Sequence, residues 1–442
     1  MNTTVAARRP SAADDATAYR ASALTCLLLL ALPFTQFGHG YWTSVQGAMF
    51  LLVVLFIRKT ISTLDFLLFT IIALTMLSSL LGHLYADTLF HSFLRIIRQI
   101  VCIYVIVCAA GTVSWRPKPY FFDRLLPAVI LLLSLMVVAQ FVTYTLFGWS
   151  RLFVPVEYFI SGLSTIADRV IELGMARGFV ASVRASGPFA EPSYFGFVAL
   201  SLAMLVFRGV PGPRRQLLLL GAMLMALVCA KSASGVPLLV LLSLFAFRKQ
   251  LTVLHWFGIA AALAAGLVAA ELLLKFSLIE RLINITDPVL EQSGYLRLVL
   301  PLKHIALVLQ HKPFGVPLSE FFTFASHHFQ EYASGTFNPV ERMTGIASGT
   351  DNAFLNLFLS FGFGAFVIIG VLPFIVKDKL TLVYLLFVSQ FNGDIMGPDK
   401  AAIIALAISC RRVFAEAVQA KVAGVNRFKQ AGPSGAMLPG QA

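Results

Sequence analysis

Apolar runs separated by short polar turns repeat along the chain from about residue 22 to about residue 413. They fall at approximately 22–38, 44–57, 65–83, 94–113, 125–147, 193–207, 216–230, 235–247, 252–273, 353–376, 380–392 and 399–413. In lipid every backbone polar group must be satisfied within the protein, so runs this apolar predict helices that cross a membrane. The pattern predicts an all-α, polytopic integral membrane protein with about 12 transmembrane helices. Several runs are shorter than the roughly twenty residues an untilted span needs. The pair 380–392 and 399–413 also fits a re-entrant hairpin.

The polar positions between the runs set direction. Arg8, Arg9, Arg20, Arg58, Lys59, Arg116, Lys118, Arg124, Arg208, Arg214, Arg215, Arg248, Lys249, Lys377, Lys379, Arg411, Arg412, Lys421, Arg427 and Lys429 all fall on one side if the N-terminus is cytoplasmic. Basic residues in short loops mark the cytoplasmic face, which predicts an N-in, C-in topology. The first run follows a basic start but has no small-residue cleavage site, so it is expected to be an uncleaved span. The division expected is a cytoplasmic tail over 1–21, one membrane domain over 22–413 and a cytoplasmic, disordered tail over 414–442. Two long segments, 148–192 and 274–352, then lie outside. Both mix apolar faces with charges, the pattern of short amphipathic helices at a membrane surface, and long ordered segments on a rigid scaffold commonly carry function.

Composition sharpens this picture in two respects. The chain of 442 residues is 58% hydrophobic and 12% charged, far from the quarter or so of charged residues in soluble domains. Its net charge of +13 sits mostly in short turns, which argues for topology rather than nucleic-acid binding. Cys26, Cys102, Cys108, Cys229 and Cys410 all lie in apolar runs without CxxC spacing, so they are expected to be small buried hydrophobes, with no disulfide framework and no metal cluster.

Candidate chemistry gathers in and beside the long outer segments. The stretch "RASGPFAEPSYFG" places Arg184, Glu191, Ser193 and Tyr194 at the mouth of the sixth run, with Pro192 suited to a first helical turn and Gly187-Pro188 to a reverse turn. Glu191 offsets the positive end of the helix dipole in the simplest account. Arg297, His304 and His311 recur every seven residues, so they share one helical stripe, with Pro301 marking the helix start. A polar face on an interfacial helix accounts for them equally well. Asp351-Asn352 opens the run after the second segment, where a helix cap is the plain alternative. Carboxylates at two span mouths on one side, with an arginine-bearing helix before the second, suit a charged or sugar-like ligand.

Together these three stretches resemble the Wzy-type polysaccharide polymerases of bacterial envelopes, within the superfamily that includes the O-antigen ligases. "RASGPFAEPSYFG" resembles that family's R-x-x-G-x-F-x-E-P-S-x-x-G element. "YLRLVLPLKHIALVLQHKPFGVP" is similar to its arginine followed by a Pro-x-Gly turn, and "DNAFLNLFLSFGFGAF" to its entry into a late span. Asp351 stands where the family often has histidine, and the interval from Arg297 to Gly315 is longer than in some polymerases.

The resemblance implies a GT-C-like architecture in the bacterial inner membrane, with the site facing the periplasm. It implies a glycosyltransferase that moves a glycan from undecaprenyl diphosphate onto a hydroxyl of another lipid-linked repeat unit, so undecaprenyl-diphosphate-linked oligosaccharide is both donor and acceptor. Membrane lipids, a flippase and a chain-length regulator are the implied partners. Arginine forks suit a diphosphate leaving group, so Arg184 and Arg297 are the expected clamp, with Arg177 and Lys303 as helpers. Glu191 is the expected general base and Asp351 the second choice. Ser193, Tyr194, His304, His311 and Asn352 are expected to contact the glycan or head group. Neither long segment contains a DxD pair, so no metal or other cofactor is expected. An O-antigen ligase, a lipid-linked-sugar transporter and an inactive scaffold remain rival readings. A transporter is disfavoured because the span centres are almost free of charge and no internal repeat is visible.

Overall fold

The computed structural model describes residues 62–82, 89–111, 117, 120–147, 185–189, 192–232, 234–250, 283–284, 286, 298–317, 324, 327–328, 352–376, 378–391 and 397–409. The runs expected at 22–38, 44–57 and 252–273, both tails and most of the two long outer segments lie outside these residues. The described part contains helices and no strand. In chain order the helices are α1 (Thr63–Ser78), α2 (Leu89–Gly111), α3 (Leu126–Phe147, entered through a π-turn at Phe121–Leu125), α4 (Pro192–Gly209), α5 (Pro213–Cys229), α6 (Gly235–Phe247), α7 (Leu300–His311), α8 (Ala353–Phe361), α9 (Gly364–Ile375), α10 (Lys379–Val388) and α11 (Pro398–Ser409). The stretches Thr63–Leu81, Ser92–Ala109, Phe121–Phe147 and Pro192–Gly209 are long and apolar enough to cross a membrane. The protein is an all-α membrane protein. The described cysteines Cys102, Cys108 and Cys229 are buried, as their apolar context predicts.

Helix α4 lies at the centre. Residues Ser193–Val206 are buried without interruption, because α5, α6, α10 and α11 pack around it. Around this core α2 runs against α11, α3 against α5, α1 against α2 and α9, and α7 against α8. Apolar side chains gain little by leaving lipid for protein, so close approach and interhelical hydrogen bonds hold such a bundle together. Gly196 illustrates the first: a Cβ there would come within 2.6 Å of the Phe391 ring. Ser201 and Tyr384 illustrate the second, with hydroxyl oxygens 2.8 Å apart across α4 and α10.

Contacts sort the helix ends into two groups. At one end Arg208 closes α4. Its guanidinium donates to the Ile408 carbonyl at 3.0 Å and to Thr381 Oγ1 at 2.6 Å, and it pairs with Asp378. Asp378 also caps α10, accepting from the Thr381 amide at 3.0 Å. Arg215 and Asp123 form an exposed ion pair at 3.7 Å at this same end. Residues 186–189, 192–196, 352 and 389–391 meet at the other end. Helix α10 runs antiparallel along α4 between the two, from Arg208 opposite Asp378 to Gly196 against Phe391.

The run predicted as one span over 353–376 is two helices. Gly362, at φ 53°, ends α8, and α9 begins at Gly364. The physical reason is the Pro-x-Gly turn after α7. Phe363 donates its amide to the Pro313 carbonyl at 2.9 Å, and Val316 donates to Leu359 at 2.8 Å. A Cβ on Gly315 would lie 2.3 Å from the Ser360 oxygen, and one on Gly362 would lie 2.0 Å from the Pro313 oxygen. Both glycines have positive φ, so backbone meets backbone where side chains cannot fit.

Candidate functional site

The head of α4 is built by a turn and a glutamine. Residues Ser186–Phe189 form a reverse turn in which the Phe189 amide reaches the Ser186 carbonyl at 3.3 Å. Gly187 takes φ 67°, a left-handed conformation that glycine adopts readily, within the turn the Gly-Pro pair suggested. Gln140 of α3 grips the turn on both sides. Its Oε1 accepts from the Gly187 amide at 2.8 Å and the Ser186 amide at 3.2 Å, while its Nε2 donates to the Gly187 carbonyl at 2.8 Å. The Phe189 ring then packs on Tyr194 and Phe195, at centroid separations of 5.6 and 6.1 Å. Pro192 opens α4, as its position before the apolar run predicts. Ser193 and Tyr194 are buried in this packing.

Asn352 opens α8. Its Oδ1 accepts from the Phe354 and Leu355 amides, both at 3.1 Å, which is the capping role foreseen as the plain alternative. Its Nδ2 does something the sequence does not suggest, donating to Gln390 Oε1 at 2.7 Å. The Phe354 amide also reaches the Ser389 carbonyl at 3.2 Å. The segment 389–391 is thus shared: Phe391 lies on Gly196 of α4, and Gln390 holds the cap of α8. Through it the first and third sequence motifs come to one end of the bundle.

The second motif joins them through α7. Pro301 sits in the first turn of this helix, as its residue type predicts. His304 is fully buried, as are Pro301 and Val308 along the same side, while Lys303 and His311 are exposed. The heptad stripe is therefore not a uniformly polar outer face: its middle member turns inward against the α7–α8 packing. Burial, reinforced by the neighbouring Lys303 charge, holds the His304 imidazole neutral, with its pKa lowered to about 3. The His311 ring lies 5.3 Å from that of His328. Arg177, Arg184, Glu191, Arg297 and Asp351 lie outside the described residues. Glu191 is bonded to the first residue of α4 and Asp351 to the cap of α8.

Two groups of polar residues escape a motif-based reading. Gln140 and Gln390 hold the motif elements in place from other helices. On α2, Ser92, Arg95 and Gln99 line a small cavity with Ser79, Ile96, Pro317, Ser360 and Phe361. A lone amide or guanidinium inside an apolar run is the signal that could have found them. No group of three or more histidine, cysteine or carboxylate side chains suited to a metal ion occurs among the described residues.

A bundle of apolar helices held by glycine-bearing turns, helix caps and interhelical amide bonds is that of a helical integral-membrane protein. The family is set by the whole chain: it belongs to the WcaD colanic acid polymerase family, whose model matches residues 21–413. It is a polysaccharide repeat-unit polymerase of the Wzy type. No curated protein matches the chain.

Proposed function

We propose that the protein polymerises undecaprenyl-diphosphate-linked oligosaccharide repeats at the periplasmic face of the bacterial inner membrane. The observation that carries this reading is the family match over residues 21–413. The meeting of the α4 head and the α8 cap at one end of the bundle, with the α7 turn packed on the far end of α8, supports it. The proposed frame has twelve spans with both termini cytoplasmic, a single membrane domain over 22–413 and tails at 1–21 and 414–442. Basic short loops are its support. A flippase supplying repeats and a regulator of chain length are the proposed partners.

In the proposed reaction Glu191 takes the proton of the acceptor hydroxyl. The oxygen attacks the anomeric carbon of the donor glycan, the bond from that carbon to the diphosphate oxygen breaks, and its electron pair leaves on undecaprenyl diphosphate. Arg184 and Arg297 hold the departing charge, with Arg177 and Lys303 beside them. Asp351 is the alternative base. Ser193, Tyr194, His304, His311 and Asn352 shape the surroundings. Of these His311 is exposed, whereas Ser193, Tyr194, His304 and Asn352 are buried and suited to positioning. The transfer needs no metal in this scheme.

Glu191→Gln tests the base directly. General-base contributions are about 10²–10⁴-fold, so the variant should express normally and accumulate single lipid-linked repeats without visible polymer. Full polymer length and amount would remove Glu191 from the role and move it to Asp351. Arg184→Lys keeps charge but loses the planar fork, and a diphosphate clamp should weaken where an ordinary surface ion pair would not.

A further inference from the structure

Arg95 lies within the candidate span Ser92–Ala109, where a charge is costly unless it serves a purpose. A guanidinium near a span end can lie outward along the helix and reach the lipid head groups. The surroundings of Arg95 argue otherwise. Half-buried itself, Arg95 lines a small cavity of about 10 Å³ together with the buried polar side chains Ser79, Ser92, Gln99 and Ser360. Ser92, Arg95 and Gln99 follow helical spacing, so α2 turns one polar stripe inward. The opposite wall is Pro317, two residues past Gly315, and Ser360–Phe361, immediately before the Gly362 break. The stripe therefore abuts the joint between the second and third motifs. A cavity of this volume admits one oxygen-sized atom. On the flanks, Leu74 and Leu81 of the α1 region and Phe93 and Leu94 of α2 are exposed apolar residues, suited to lipid contact.

We infer that Arg95 is a binding residue for a phosphate group carried on a prenyl lipid: the guanidinium and Gln99 receive a phosphate oxygen at this cavity while the lipid chain stays in the bilayer beside α1 and α2. The inference rests on the lipid-linked donor of the proposed function and adds to it a cation from inside a span. Arg95 so placed reaches the diphosphate from the membrane side.

The test is binding of undecaprenyl diphosphate, without sugar, to the full-length protein in nanodiscs, with phosphatidylglycerol and inorganic diphosphate as competing probes. Arg95→Gln removes charge-assisted hydrogen bonds, so affinity for undecaprenyl diphosphate should fall about tenfold or more. Arg95→Lys should fall less, and Arg124→Gln, exposed at the opposite end, should bind as the wild type does. Arg95→Lys also serves if Arg95→Gln fails to fold, since it keeps the charge and loses only the fork. Wild-type affinity in a folded Arg95→Gln, or in Arg95→Lys where the glutamine variant does not fold, overturns the inference. Displacement of the prenyl lipid by equimolar phosphatidylglycerol overturns it in favour of a general head-group contact, and displacement by inorganic diphosphate overturns the requirement for a lipid. Polymer formation by the wild type is measured in parallel: its absence counts against the proposed function, whereas polymer with unchanged Arg95→Gln binding counts against this site alone.

Discussion

Replacing Gln140 by leucine removes the side chain that holds the turn before α4 while keeping its approximate volume. Three backbone groups lose their partner: the amides of Ser186 and Gly187 and the carbonyl of Gly187. Gln140 and Gly187 are both buried, so water does not readily replace the lost bonds. At roughly 1 kcal/mol for each group left unsatisfied, the local cost is about 3 kcal/mol, which raises the open population of the turn roughly a hundredfold. The rest of the bundle does not depend on these bonds, so global unfolding should move much less. Trypsin offers a direct assay, because the Arg184–Ala185 bond abuts Ala185, which is fully buried. In purified Gln140→Leu protein, cleavage after Arg184 should accelerate about a hundredfold in the regime where opening is fast relative to cleavage. Polymer made in a deletion strain should shorten or vanish. Cleavage at the wild-type rate together with wild-type polymer would refute the claim that Gln140 holds the motif in its working shape.

Further outcomes follow from other parts of the molecule. Purified protein should retain glycosyl transfer in excess EDTA, and loss of activity restored by magnesium or manganese would show a metal requirement. Reporters fused after residues 170 and 320 should read as periplasmic and those after 118, 212 and 378 as cytoplasmic; a cytoplasmic result at 170 or 320 would move the site to the other face. His304 titrates well below the ordinary histidine value in the folded protein, so the unfolded chain takes up a proton first as pH falls. Its contribution to stability is complete above about pH 6.5 and drains away toward pH 3, at up to about 1.4 kcal/mol per pH unit. Thermal unfolding of wild type and His304→Gln at pH 7.5 and 5 should show a steeper loss in the wild type, and equal slopes would contradict a buried neutral imidazole.

Much of the helix framework is legible in the sequence because apolar run length and first-turn proline are local signals. Nine of the predicted runs coincide with described helical regions, and Pro192 and Pro301 both sit in first turns as expected. The Gly362 break is not legible, because "SFGFGAF" continues an apolar run and the chain bends there only to accept the Pro313–Val316 backbone from far away in sequence. Gln140 is hidden for a related reason: its partners lie 46 and 47 residues later. His304 was legible as a candidate but not as a buried one, since a seven-residue spacing gives a common stripe and not its depth. Arg95 falls inside an apolar run, outside the motif-bearing segments of the sequence. What the sequence carries well is the identity of the motifs; what it omits is which other helices hold them.

That omission has a physical basis in the solvent. In water a turn can be held by the apolar burial beneath it, but in lipid apolar packing supplies little net drive, and interhelical hydrogen bonds and close backbone contacts take over positioning. In the described residues those bonds concentrate on the motif-bearing elements. Arg208 fixes one end of α4 against α10 and α11, while Gln140 fixes the turn that leads into its other end. Helix α10 then acts as a strut, since its Asp378 end is tied to α4 and its Gln390 end is tied to the cap of α8. The residues next in sequence to Pro192 and Asn352 are the two carboxylates Glu191 and Asp351. The heads of α4 and α8 are therefore held relative to each other through the end of α10, where Phe391 lies on Gly196 and Gln390 bonds Asn352, so a change at Gln390 should disturb the third motif directly, whereas a change at Gln140 should disturb the first.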